Sequence, residues 1–332
     1  MMKKTLIALA AVGACGAAVA QSSVTLYGIA DAGVGRIKPG KTEFTGGNTL
    51  VNNTPSRIGL KGVEDLGGGN VAGFTFEAGL SLDDGSNVEF DGSPFGASSG
   101  RFWDRDANVF FGGGWGTVKL GRQVTPTHIA EFAYDLTGLA NYSVVRNSYA
   151  AIGMGPWADS AFAYITPNMS GLQAAVAFVS KNDTGLRKNA WDLGVWYHNG
   201  PIAAGLSVNK GLDHGKTNYQ LGAKYDFGNF ALAASYHNAT TDGVALPHGM
   251  DALGRAVELR RRGFSIGGQA KFGAFSVVLD VARDTKNEWG AKKYTNALLE
   301  GKYSLSKRTF FYGDVLRLDG QTHWGLGIQH NF

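Results

Sequence analysis

The sequence predicts an all-β fold in which 16 antiparallel strands close into a transmembrane β-barrel. Three observations predict it. Apolar residues recur at every second position, as in Trp191, Leu193, Val195 and Tyr197, or Phe275, Val277, Leu279 and Val281. The opposite parity carries Asp192, His198, Asn209, Gln269, Lys271 and Asp280. Side chains two apart share one face of a strand, so each segment is a ribbon with an apolar and a polar side. The connections alternate short and long, as in barrels with tight periplasmic turns and longer external loops. The longest uncharged run, Ser160–Ser180, is long enough for a membrane helix, but the turn Thr166-Pro167-Asn168-Met169-Ser170-Gly171 interrupts it. Without a spanning helix, a chain crosses a bilayer only as a closed barrel.

The elements follow in chain order. Residues 1–20 have two lysines (Lys3, Lys4), an apolar stretch from Leu6 to Val12, and Ala18-Val19-Ala20 before Gln21. That is a secretory signal peptide, too short to span a bilayer as a helix. A competing reading, a lipoprotein box at Val12-Gly13-Ala14-Cys15, fits poorly at Gly13. Cleavage after Ala20 removes Cys15, the one cysteine, so residues 21–332 have neither a disulfide nor a cysteine metal site. It also removes two of the positive charges behind the formal +4. The resulting near-balance excludes a basic nucleic-acid binder. Glycine, at 49 of 332 residues, is about twice its usual ~7%, and the 8 prolines fall at strand ends.

The first predicted strand is Val24–Ala32. Arg57–Val63 and Val71–Leu80 flank Gly67-Gly68-Gly69, and Arg105–Phe111 and Thr117–Arg122 flank Gly112-Gly113-Gly114. After a long interval, Ala161–Thr166 pairs with Leu172–Val179. Then come Trp191–Tyr197 with Ile202–Val208, Tyr219–Phe227 with Phe230–His237, Phe264–Phe272 with Phe275–Val281, and Thr295–Tyr303 with Arg308–Leu316. The last is Trp324–Phe332, where Trp324, Leu326, Ile328 and Phe332 share one parity broken only by His330. Chain ends are usually polar and loose, so an aromatic terminus points to a residue that faces lipid. A secreted β-sandwich also alternates, but it requires neither the loop alternation nor this terminus.

Val24-Thr25-Leu26-Tyr27-Gly28, Ser56-Arg57-Ile58-Gly59-Leu60-Lys61-Gly62-Val63-Glu64-Asp65-Leu66-Gly67, Gly116-Thr117-Val118-Lys119-Leu120-Gly121-Arg122-Gln123 and the terminal phenylalanine carry a resemblance. They resemble general porins of Gram-negative bacteria, most closely the β-proteobacterial branch of the Neisseria, Burkholderia and Bordetella type. The resemblance covers essentially the whole mature chain. It implies a 16-stranded outer-membrane barrel with an inward-folded third external loop. It further implies a homotrimer set among outer-membrane lipid and lipopolysaccharide, passing small ions and solutes by passive diffusion. In that family the barrel-assembly machinery reads the terminal aromatic strand, which gives Phe332 a second role.

Charged rings at the narrowest point of a water-filled barrel set selectivity. By resemblance, the inward loop is the interval from about Val124 to Asp159, carrying the acids Glu131 and Asp135 and then Tyr142, Arg146, Tyr149 and Trp157. The facing basic wall comprises Arg57, Lys61, Arg105 and Arg122. Parity points Arg57 inward with Gly59 and Lys61, whereas Arg122 shares its parity with Val118 and Leu120, which leaves its direction open. For each wall arginine the alternative is a structural tie to a carboxylate. Trp157 and Ala163 stand where many relatives have arginines, which weakens the implied anion preference.

The competing classes have less behind them. Seven histidines are scattered over loops and strand ends, with no HExxH and no GxSxG, and the glycine runs lead into further strand rather than a helix. Neither an enzyme nor a cofactor is expected. A mainly structural or adhesive barrel is the remaining alternative, and the dense inward charge disfavours it.

Overall fold

The computed structural model describes all residues except 1–22, 39, 47–48, 88–100, 150–154, 182–188, 212–215, 242–258, 289 and 291. The expected signal peptide lies outside the described residues. The strands are β1 (Ser23–Arg36), β2 (Glu43–Thr45), β3 (Arg57–Gly67), β4 (Asn70–Gly79), β5 (Asp106–Gly113), β6 (Gly116–Val124), β7 (Trp157–Ile165), β8 (Leu172–Val179) and β9 (Ala190–Asn199). They continue with β10 (Ile202–Lys210), β11 (Asn218–Asp226), β12 (Phe230–Thr241), β13 (Leu259–Phe272), β14 (Phe275–Asn287), β15 (Thr295–Ser304), β16 (Thr309–Leu318) and β17 (Gln321–Asn331). All but the three-residue β2 are staves of one closed antiparallel barrel of 16 strands.

Each stave pairs with its chain neighbours, and the ring closes where β1 meets β17, from Ile29 opposite Asn331 to Arg36 opposite Trp324. On its other edge β1 pairs with β3 from Ser23 to Ile29, and β2 covers Gly33 to Gly35 above that. The two edges of β1 are therefore used at different heights, which is the stagger a tilted barrel needs to close.

The two faces sort as the alternation requires. Ile266, Leu279, Leu299 and Leu326 are more than half exposed on the outside, while Asp192, Asn218, Asp280 and Glu300 are buried within. A continuous apolar belt of this kind is stable only against hydrocarbon. Near the short-turn end it finishes in an aromatic girdle that includes Tyr225, Phe227, Phe230, Phe272, Phe275 and Tyr303. No helix among the described residues is long and apolar enough to cross a membrane.

Several strand limits differ from the sequence reading. β13 and β14 extend to Leu259 and Asn287, because charged residues there interrupt the apolar pattern without interrupting the backbone pairing. β7 begins at Trp157 rather than Ala161. The last connection is not long: β16 and β17 meet at Asp319-Gly320, with φ of 48° and 88°. Positive φ at both central residues is the tight hairpin turn that Asp-Gly favours. The short-long alternation therefore ends before the last pair.

Phe332 completes the seam. Its backbone N–H donates to the carbonyl of Gly28 at 3.1 Å and its carbonyl accepts from the Gly28 N–H at 3.1 Å. A Cβ on Gly28 would collide with the Phe332 ring, so the glycine leaves the space that the ring occupies. Deleting Phe332, or replacing Gly28→Val, should lower the yield of heat-resistant barrel on unboiled gels. The single-channel conductance of the molecules that insert should match wild type.

Candidate functional site

The connection between β6 and β7 carries two short helices, α1 (Pro126–Phe132) and α2 (Val144–Tyr149). Proline at the first helical position and Thr125 at the N-cap start α1, with the Thr125 hydroxyl accepting from the His128 N–H. Asp192 of β9 then accepts from the Thr127 N–H at 2.9 Å and the Thr127 hydroxyl at 2.6 Å. A carboxylate suits the unsatisfied N–H groups at a helix start. Asn209 and Gln220, on β10 and β11, donate to the Thr127 hydroxyl and carbonyl at 3.0 and 3.1 Å. Glycine makes the close approach possible, since a Cβ on Gly194 or Gly205 would strike the carbonyl of Pro126 or Ala130.

Beyond α1 the chain is organised by Asp135. Its carboxylate accepts from the N–H groups of Thr137 and Leu139 and from the hydroxyls of Thr137 and Ser143, all within 2.9 Å. α2 and the residues before it, including Tyr142, Val144 and Val145, pack with Ala239, Ala282, Leu298 and Leu316 on the polar-parity face of β12 and β14 to β16. Tyr142 donates to Asn53 at 2.8 Å, and Tyr149 donates to the carbonyl of Arg283 at 3.1 Å. Tyr149 also stacks on His237, with ring centres 4.7 Å apart.

The basic residues lie on the opposite side of this segment. Arg57 and Arg105 share one carboxylate, Glu77 of β4, at 3.6 and 2.5 Å. Arg105 also lies over the indole of Trp157, 4.4 Å from the ring centre. Cation–π contact keeps such a charge in place without neutralising it. Lys61 lies over Tyr27 at 5.7 Å. Arg122 is buried, bound to Asp159 at 2.5 Å and to the carbonyl of Asp104. Gly121 at φ 116° and a register shift between Gly121 and Gln123 break the alternation there, so the parity of exposed Leu120 does not extend to Arg122.

Sequence reasoning missed Glu77, although it shares its parity with Thr75, and it missed the Asp192 seat for α1. The inward parity of β4 could have indicated the first. Nothing local indicates the second, because its partner is 65 positions away. Of the two expected acids, Asp135 is fully engaged within its own segment. Glu131 is 2% exposed, and burial, followed by the nearby Asp135 charge, pushes its carboxyl up to about 8 against the opposing pull of Arg146. Burial, with help from Arg146 and Arg105, pushes His128 down to about 3, so it is neutral at physiological pH. No group of three or more His, Cys, Asp or Glu side chains suited to a metal occurs among the described residues.

A closed barrel with an apolar belt outside and a charged interior defines a bacterial outer-membrane channel. The chain belongs to the Gram-negative porin family, whose pattern matches residues 5–323. It is 33% identical to outer membrane porin protein 32 of Delftia acidovorans, over 99% of this chain and 93% of that protein. It is 31% identical to an outer membrane porin protein of Bordetella pertussis over the full length of both. Among solved structures it resembles an anion-selective porin from Comamonas acidovorans, with a TM-score of 0.74 and 25% identity over 94% of this chain and 100% of that one. The protein is thus an outer-membrane channel for passive diffusion of ions and small hydrophilic solutes, in a family of channels rather than enzymes.

The seat of α1 gives a direct test of the connection's placement. Gly205→Val should dislodge α1 from β10 and raise single-channel conductance above wild type. Asp135→Ala should lower thermal stability in detergent by about 3 kcal/mol, since a buried charged acceptor with several donors is lost. Differential scanning calorimetry would measure it.

Proposed function

We propose that the channel is a homotrimer whose β6–β7 connection, the third external loop, folds into the lumen and narrows it opposite a basic wall of Arg57, Lys61, Arg105 and Arg122. The observation that carries this reading is the shared Glu77, which gathers Arg57 and Arg105 on one stretch of wall, where Asp106, paired across from Glu77, offsets part of their charge. Glu131 and Asp135 are the loop acids, and Glu131 adds its charge only where it has lost its proton. The result is a weak anion preference leaning to neutral, because Trp157 and Ala163 bring no charge. The Comamonas acidovorans porin, described as anion-selective, supports the direction.

The mature chain is residues 21–332, exported by the signal peptide of residues 1–20. Of the small residues on the outward parity of the early strands, Ala30, Ala32 and Ala72 are partly exposed and suit packing against other subunits better than lipid contact, whereas Gly28 and Gly62 are covered by the rings of Phe332 and Phe74 and Ala78 is buried. An apolar groove over β1, β16 and β17, lined by Ala32, Val34, Phe311, Leu326 and Ile328, supports the same reading. Lipid and lipopolysaccharide surround the trimer, and Phe332 is the signal read by the barrel-assembly machinery.

Opposed charges across a poorly screened lumen set a transverse field that biases which ion passes. Replacing Arg57 and Arg105 by Ser should move the reversal potential in a salt gradient towards cations. The change should shrink at molar salt, where the Debye length is about 3 Å. An unchanged reversal potential at low salt would show that both arginines serve only as ties to Glu77.

The pH dependence has a definite sign. Glu131 holds its proton below about 8 and releases it above, adding negative charge to the loop. Anion preference should therefore fall as pH rises through about 8, and Glu131→Gln should reduce that dependence. A raised carboxyl pKa means the folded state binds more protons than the unfolded state between the ordinary carboxylate value and about 8, so stability should decline over the same window.

A further inference from the structure

One side of α1 is apolar and faces away from the strands that hold it. Thr127 and Ala130 of α1, and Tyr134 just beyond it, meet the strands: Thr127 donates to Asp192, a Cβ on Gly205 would strike the Ala130 carbonyl, and one on Gly222 would strike the Tyr134 ring. At 3.6 residues per turn, a side chain two positions after Ala130 points about 200° away from it. Phe132 has that position. It is 59% exposed, whereas Ala130, Glu131 and Tyr134 around it are buried. Ile129, three residues earlier and therefore adjacent on the helix surface, is half-buried.

An exposed phenylalanine is ordinary on the outer belt, where it meets hydrocarbon. Phe132 belongs instead to the connection between β6 and β7 and lies on the far side of α1 from the strands. Gly138, itself exposed, runs alongside, where a Cβ would sit 3.8 Å from the ring.

Guanidinium groups flank this face. Arg146, in the last turn of α2, is half-buried, and its charge reaches both His128 and Glu131 of α1. It donates to the Leu139 carbonyl and the Asn141 side chain through Nη1, which uses part of its five N–H donors and holds it in place. His128 lies one turn before Phe132, and its ring is 6.2 Å from Trp157, over which Arg105 sits. Two acids stand beside Arg146: burial raises the Glu131 carboxyl to about 8, and Asp135 is engaged by Thr137, Leu139 and Ser143. Guanidinium N–H groups match carboxylate oxygens, and an aromatic ring favours a second apolar body.

We infer that Phe132 and Arg146 form a contact for small carboxylates that carry an apolar body, the ring meeting the body and the guanidinium the carboxylate. The inference rests on the proposed placement of this connection in the lumen. It adds to that reading a choice among anions by shape and hydrophobicity, which net charge alone does not make.

The test uses the purified channel in a planar bilayer, with current carried by potassium chloride and benzoate, acetate or benzamide added. Benzoate should reduce the wild-type current. Acetate, which lacks the ring, and benzamide, which lacks the charge, should not do so at the same concentration. Phe132→Gln should raise the benzoate concentration that halves the current by about fivefold, as expected for loss of one aromatic contact. Phe132→Leu, which stays apolar, should raise it by less. Equal half-block in wild type and Phe132→Gln would overturn the contact, as would block by acetate or benzamide equal to that by benzoate, or no block by benzoate at all. The exposed ring contributes little buried contact, and the current itself reports that a variant has inserted. If Phe132→Gln does not insert, Phe132→Ser carries the same expectation. A separate readout isolates the lumen placement, since Cys15, the one cysteine of the sequence, lies in the expected signal peptide. Phe132→Cys, labelled with a negatively charged thiol reagent, should conduct less than before labelling. Unchanged conductance there removes the placement and the inference with it. Reduced conductance together with unaltered benzoate block in Phe132→Gln overturns the inference alone.

Discussion

Everything in this molecule depends on the requirement that no backbone N–H or C=O face hydrocarbon unpaired. An open sheet of 16 strands would leave two edges, and β1 meeting β17 removes both. The unequal use of β1 follows from that demand. Its early residues complete the edge of β3 and its later ones the edge of β17, with Phe332 and Gly28 joining below. Once the ring is closed, alternation sorts every stave into an oily and a wet face, and the lumen inherits its charges without further instruction.

The side-chain chemistry is a matter of seats. The connection between β6 and β7 has no strand pairing to hold it, so side chains on the wall do so. Asp192 engages the start of α1, glycines on β9 and β10 leave room for its backbone, and aromatic and aliphatic residues on β12 to β16 receive α2. On the other side Glu77 gathers Arg57 and Arg105, and Trp157 holds Arg105 in place. The acids of this connection serve geometry: Asp135 shapes its own segment, and burial raises the Glu131 carboxyl to about 8.

Much of the fold was legible because period-two alternation is a local signal. Leu172–Val179 was delimited to the residue, since apolar positions and flanking turns agree there. The charged ends of β13 and β14 were not, because Arg260, Arg262 and Arg283 belong to strands by pairing and not by hydropathy. The inward direction of Arg57 could be counted from its neighbours. That of Arg122 could not, because Gly121 breaks the count. The partners of the arginines and the seat of α1 join residues distant in sequence, and no local pattern records such distances.

The seam also fixes an order of events. Asp31, on the first strand, accepts a hydrogen bond from Tyr312, 281 positions later, and Gly28 pairs with Phe332. The ring cannot close before β17 exists, so one edge of β1 stays open while the staves between them pair. Pairings of such long range are slow to form and exposed to aggregation in the meantime. A ring sealed between β1 and β17 therefore makes its most distant pairing the one that removes its last open edges.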